Sequence, residues 1–205
     1  DWVPTTNELF RLQYNAETGA YRLYSMASNS GTNRMLTVYT STTGLVYGSR
    51  NVRLEDLSDH SELSQDWMIV SNDGTTFRLL PRSNMSVCLT VNGDTAGTSS
   101  GTGTGTAGNV CVKTVDTNSD YQLWWLIKND GEGNIYTSEY SPATLDNGLY
   151  YFINRYSGRY LYQNGSNAMS TRGFITDTRT DNNVSSTSAS QYQVYDEFIS
   201  WRITN

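Results

Sequence analysis

A chain of 205 residues bounds the answer to one domain or two small ones; apolar residues make 37% of it and charged residues 17%. A net charge of −6, a pI near 4.7 and only two lysines (Lys113 and Lys128) argue against nucleic-acid or anionic-membrane binding. No apolar run approaches the ~20 residues of a membrane-spanning helix, and one His with two Cys leaves a structural zinc site almost without ligands.

Ser, Thr and Asn fill about a third of the sequence, which raises the prospect of disorder, but five Trp and fifteen Tyr spread along the chain oppose it. In chain order the strand-like runs are Tyr21-Arg22-Leu23-Tyr24, Met35-Leu36-Thr37-Val38 and Asn51-Val52-Arg53-Leu54-Glu55. They continue with Phe77-Arg78-Leu79, Cys88-Leu89-Thr90-Val91, Val110-Cys111-Val112 and Tyr151-Phe152-Ile153. Turn clusters such as Asn72-Asp73-Gly74 and Asn129-Asp130-Gly131 separate them, and helix periodicity is nearly absent. Short strands with this punctuation predict an all-β sandwich or barrel.

The runs repeat three times. Tyr21-Arg22-Leu23, Phe77-Arg78-Leu79 and Tyr151-Phe152-Ile153 open the copies. Met35–Val38, Cys88–Val91 and Tyr160-Leu161-Tyr162 follow, and then Val52-Arg53-Leu54, Val110-Cys111-Val112 and Phe174-Ile175-Thr176. Each copy closes on a tryptophan: Gln65-Asp66-Trp67, Tyr121-Gln122-Leu123-Trp124 and Phe198-Ile199-Ser200-Trp201. One such unit cannot bury its own apolar face, whereas three around an axis close a barrel and remove its edges. The third copy is longer, and its stretch 178–193, almost wholly Ser, Thr, Asn and Asp, reads as a loop.

Four strands per unit, three units, two Gln-x-Trp motifs and a Cys88-Leu89-Thr90-Val91 strand similar to a Cys-Leu-Asp-Val segment make the chain resemble the ricin-type β-trefoil lectin family. The stretch from Gly148 to Leu161 also resembles the unit opening of bacterial and fungal members. The resemblance implies a single β-trefoil domain of three four-stranded units with pseudo-threefold symmetry, spanning roughly 9–70, 71–127 and 128–205, with Trp67, Trp124 and Trp201 in its core. It also implies sugar binding in shallow pockets, one per unit, through an aspartate, a stacking aromatic and an Asn before the Gln-x-Trp.

The sequence departs from that pattern at the aspartate, where it holds Thr37, Thr90 and Tyr162. A threonine hydrogen-bonds a sugar without the charge-assisted acceptor that strengthens the contact. The second unit supplies Thr90, Asn92, Asp94, Asp116, Asn118 and Gln122 as candidate binding residues. The first supplies Tyr39, Glu55, Asp59 and Gln65, and the third Tyr156, Tyr160, Tyr162, Asn164 and Asp177. Ordinary strand-end and turn polarity is the competing explanation for each set, and in this family the glutamine often ties the unit's loop to its core.

Cys88 and Cys111 flank a Gly/Thr/Ser-rich stretch, and a disulfide closing such a loop would contribute roughly 3 kcal/mol of chain entropy; the alternative is two buried free thiols. Three glycosylation sequons (at Asn84, Asn164 and Asn183), the cysteine pair and the scarcity of lysine favour an extracellular protein. A start at Asp1 suggests a processed form or a piece of a larger secreted protein.

Two motif matches fail on context. Gly103-Thr104-Gly105-Thr106-Ala107-Gly108 fits the dinucleotide fingerprint, but a strand pattern follows it where a helix is required. His60, in Asp59-His60-Ser61, has no nucleophile elbow to serve and reads as a loop residue. The expectation is therefore a non-catalytic module without cofactor. Its partner is a glycan, or else a protein if sugar binding has been lost; exposed tyrosines serve either role.

Overall fold

The computed structural model describes residues 4–27, 34–39, 50–56, 62–71, 73–92, 108–129, 145–164 and 168–172. Within them lie twelve strands. In order these are β1 (Leu9–Asn15), β2 (Ala20–Ser25), β3 (Met35–Val38), β4 (Arg50–Glu55), β5 (Trp67–Ser71) and β6 (Phe77–Pro81). Then come β7 (Val87–Asn92), β8 (Asn109–Thr114), β9 (Trp124–Lys128), β10 (Gly148–Asn154), β11 (Tyr160–Asn164) and β12 (Ala168–Arg172). Single 3-10 turns, Thr6–Glu8, Glu62–Ser64 and Asp120–Gln122, lead into the neighbourhood of β1, β5 and β9.

Alternation explains the strands. In β2, Tyr21, Leu23 and Ser25 are buried while Arg22 and Tyr24 are half-buried; β5 buries Trp67, Ile69 and Ser71 and leaves Met68 and Val70 half-buried. The tight return from β1 to β2 turns on Gly19, at φ 66, a left-handed conformation that a side chain would strain.

Six strands pair antiparallel in a closed ring: β1 with β2, β2 with β5, β5 with β6, β6 with β9, β9 with β10, and β10 with β1. The other six form three hairpins, β3–β4, β7–β8 and β11–β12. These hairpins meet in a triangle through Asn51 opposite Cys111, Asn109 opposite Ser170, and Ala168 opposite Arg53. A six-stranded barrel capped by three mutually paired hairpins is a β-trefoil.

The register carries the threefold symmetry residue by residue. Trp67 faces Tyr21 and Pro81; Trp124 faces Phe77 and Asn154; Phe10 faces Tyr150 and Ser25. Three core layers follow, each fully or almost fully buried: Phe10, Trp67 and Trp124; Leu12, Ile69 and Leu126; Leu36, Leu89 and Leu161. Each such side chain contributes about 1.5–3 kcal/mol relative to an exposed one, so a small aliphatic set used three times suffices. Trp67 and Trp124 also donate their indole N–H to the carbonyls of Leu36 and Leu89, at 2.8 and 3.1 Å.

This register corrects the third unit. The sequence pattern assigns its closing strand to Phe198–Trp201, which lies outside the described residues; the place is filled by β1, from the beginning of the chain. Glu8-Leu9-Phe10 is thus the third copy of Gln-x-Trp, with Glu8 and Phe10 both fully buried. Glu8 accepts from the backbone N–H and hydroxyl of Thr5, each at 2.7 Å. Phe10 has no N–H to donate and instead meets Phe152 edge-on at 6.0 Å. Likewise the third strand of this unit is Ala168–Arg172, whereas Phe174-Ile175-Thr176 lies outside the described residues.

The expected disulfide is absent: Cys88 and Cys111 are free and buried. Cys88 stands opposite Lys113 and Cys111 opposite Thr90, so the cysteines are diagonal neighbours on the β7–β8 hairpin. Diagonal Cα atoms lie about 7–8 Å apart, beyond the usual ~4.4–6.8 Å of a disulfide. Burial pushes their thiols up to about 12 for Cys88 and about 11 for Cys111.

Candidate binding faces of the hairpins

Core residues alternate with outer-face residues along each hairpin, and the register aligns the outer faces. The first carries Thr37, Tyr39, Arg53 and Glu55; the second, Thr90, Asn92, Cys111 and Lys113; the third, Tyr162, in register with Ser170 on β12. The predicted residues Tyr39, Glu55, Thr90, Asn92 and Tyr162 therefore share equivalent faces, and Tyr160 lies one rung away.

Thr37 and Thr90, at the family's aspartate position, are 0% and 2% exposed. Each hydroxyl turns back along its own strand, to the carbonyl of Met35 or Cys88, at 2.8 Å in both cases. They are structural, and Thr90 offers a ligand no hydroxyl.

In the first unit the Arg53 guanidinium lies 3.4 Å from the centroid of the half-buried Tyr39 ring and pairs with Glu55. Aromatic surface, donors and a carboxylate are thereby gathered on one face. In the second, the Lys113 ammonium donates to Asn92 Oδ1 at 3.0 Å. In the third, Tyr160 is 8% exposed and meets Tyr151 edge-on at 5.8 Å, while Tyr162 is half-buried. The side chains of Asp94, Asp177 and Asn164 fall outside the described residues, as do Asp59 and His60.

The glutamines act as ties. Gln122 is buried, donates to the carbonyl of Thr114 at 2.8 Å and accepts from the backbone N–H of Asp116 at 2.8 Å. Gln65 donates to Thr37 Oγ1 and to the carbonyl of Asp56, both at 3.2 Å. The tied loop exposes Asp116 and Asn118, with Asp116 Oδ1 accepting from the Asn118 N–H at 3.0 Å. Away from the hairpins, Tyr156 stacks on Tyr121 at 3.6 Å, beside the Arg155–Asp120 pair at 3.9 Å.

Sequence reasoning missed the cations, Arg53 and Lys113 on the hairpins and Arg78 beside them. Their signal was available: Arg53 and Lys113 occupy the outward positions of runs whose inward positions are apolar.

Among solved structures, the chain is similar to a designed 3-fold symmetric protein, ThreeFoil, at 16% identity and a TM-score of 0.44, over 83% of this chain and 92% of that one. The fold assignment rests on the ring and hairpin pairings themselves. No family model and no curated protein matches the sequence.

Proposed function

We propose that this β-trefoil is a non-catalytic, extracellular binding module of the ricin-type kind that recognises glycans through the outer faces of its hairpins. The supporting observation is the first hairpin's face, where Tyr39, Arg53 and Glu55 combine an aromatic surface with charged donors and acceptors. A saccharide presents a C–H face to the former and hydroxyls to the latter. The half-buried Tyr162 gives the third unit a second aromatic candidate, and two weak sites on one rigid cap gain by avidity.

A glycan array tests this reading. Binding to at least one glycan class, weakened by Tyr39→Ala or Tyr162→Ala with unchanged folding, is the expected result. A folded protein silent across the array refutes it. That outcome favours the second reading, a protein-binding trefoil, which the inward-turned Thr37 and Thr90 support because they remove the usual sugar contact.

A further inference from the structure

The β6–β7 and β10–β11 turns are threefold-equivalent, since each leaves a strand whose last residue, Pro81 or Asn154, faces a closing tryptophan. The next residues, Arg82 and Arg155, donate their backbone N–H to the carbonyls of Asp66 and Leu123 at 2.9 and 2.8 Å. The third unit seals its turn. Ser157 is 5% exposed and donates its N–H to Asn154 Oδ1 at 3.1 Å, and Tyr156 stacks on Tyr121. The second unit leaves its turn open. Serines, Ser83 and Ser64, stand where the third has its two tyrosines, and Ser83, Asn84, Met85 and Ser86 are all exposed. Leu63 and Met85, at 46% and 47%, are two of the three exposed large apolar side chains among the described residues. Both stand beside Asn84: Met85 follows it, and the Leu63 carbonyl accepts at 2.9 Å from the N–H of Ser83, which precedes it.

Asn84 opens the triplet Asn84-Met85-Ser86, an acceptor pattern for an N-linked glycan, which needs an exposed turn. Its backbone N–H donates to the Pro81 carbonyl at 3.0 Å, and its carbonyl accepts from the Val87 N–H at 3.3 Å. Its Oδ1 accepts from the Ser86 N–H at 3.0 Å, so the side chain is held in a turn of its own. Among the described residues its Nδ2, the atom that a glycan would join, has no partner. The other two sequons lack this setting. Asn164 sits in the β11–β12 ladder opposite Ala168, and Asn183 lies outside the described residues.

We propose that Asn84 is the N-glycan attachment site of this chain, and that the glycan covers Leu63 and Met85 as Tyr121 and Tyr156 cover the equivalent junction. The proposal rests on the extracellular part of the reading above and not on its glycan-binding part. In the transfer, Nδ2 attacks the anomeric carbon of an oligosaccharide carried on a polyprenyl diphosphate. The C–N bond forms as the C–O bond to the diphosphate breaks, the lipid diphosphate leaves, and Nδ2 gives up one proton to the transferase. Nothing is oxidised or reduced. The C–H faces of the first sugars then take apolar surface of Leu63 and Met85 out of water.

The full chain secreted from a eukaryotic cell tests this, by peptide mass spectrometry after a glycan amidase that converts a glycosylated Asn to Asp. Asn84 is expected to read as Asp. The glycan should be lost from this position in Asn84→Gln and in Ser86→Ala, and kept in Ser86→Thr. Folded Asn84→Gln protein should bind more of an apolar dye than wild type, and adding Leu63→Ser with Met85→Ser should remove the excess. A secreted, folded chain bare at Asn84 overturns the proposal, whether or not Asn164 or Asn183 is modified. A glycosylated Asn84 with no dye gain in Asn84→Gln overturns the covering role. The same peptide read from the chain isolated from its own source separates the two readings. Found inside the cell and bare at Asn84, it sinks the extracellular reading; found outside and bare, it sinks this proposal alone.

Discussion

Asp66 is the point where the first two units are fastened, and replacing it with Asn measures that fastening. Its side chain is 3% exposed; Oδ1 accepts from Arg22 Nε at 2.8 Å and Oδ2 from Arg82 Nη1 at 3.0 Å. The bond to Asp66 also raises the pKa of Arg22 above its ordinary value. Asn preserves shape and one acceptor but removes the charge and turns the second acceptor into a donor facing an arginine. Two charge-assisted bonds at about 1.5–3 kcal/mol each set an upper bound of roughly 6 kcal/mol. The arginines are 19% and 29% exposed and regain water when released. The net loss is therefore about 2–3 kcal/mol, since partly exposed pairs are screened. For a chain of this size that corresponds to a fall in Tm of roughly 5–10 °C. Urea denaturation at neutral pH, followed by tryptophan fluorescence, reads the difference directly. Arg82→Gln alone should cost about 1 kcal/mol, because Arg22 keeps its partner. An Asp66→Asn protein within about 0.5 kcal/mol of wild type, the ordinary surface value, would refute the reasoning.

Two further outcomes follow from single side chains. Burial raises Asp73, but hydrogen bonds from the Thr76 hydroxyl and N–H and from the Thr75 N–H outweigh it, so its carboxyl lies below 3.8 in the folded protein. The stabilisation is fully present above that unfolded value and is lost as pH falls through the lower folded one. The stability gap between wild type and Asp73→Asn should hold constant from neutrality to about pH 5 and close below about pH 4; a gap that widens in acid contradicts the assignment. Cys88 and Cys111, with thiols raised to about 12 and 11, should resist an aromatic disulfide reagent in the native state and both react after unfolding. A native protein whose stability depends on reductant would show instead that they pair.

The sequence revealed the fold wherever a repeat kept its residue types. Gln65-Asp66-Trp67 and Gln122-Leu123-Trp124 announce two units because indole and amide each make a bond that few other side chains can make. The third unit keeps only the shape of that solution. Glu8 replaces an amide that ties a loop with a carboxylate that accepts from Thr5, and Phe10 fills the indole's space without its N–H, so the letters no longer match although burial does. The Phe198–Trp201 run fits the pattern better by composition and drew the assignment away. The candidate faces were half legible for a related reason. Alternation puts Tyr39, Asn92 and Tyr162 outward, but whether Thr90 points its hydroxyl at a ligand or at the Cys88 carbonyl is a matter of one rotamer. The missing disulfide is a matter of register: a shift of two residues would have set Cys88 opposite Cys111, and no spacing count distinguishes the two.

Closing the barrel with β1 has a consequence for how the molecule is made. Leu9 pairs with Tyr151, so β1 waits for β10, far later in the chain, before it can hydrogen-bond on both sides. Until then β1 holds only β2, and the growing sheet keeps a raw edge along Leu9–Leu12. Such long-range closure is slow and exposes edges to other chains. Assembly thus ends on a long-range closure, with β1 serving as the last stave of the barrel.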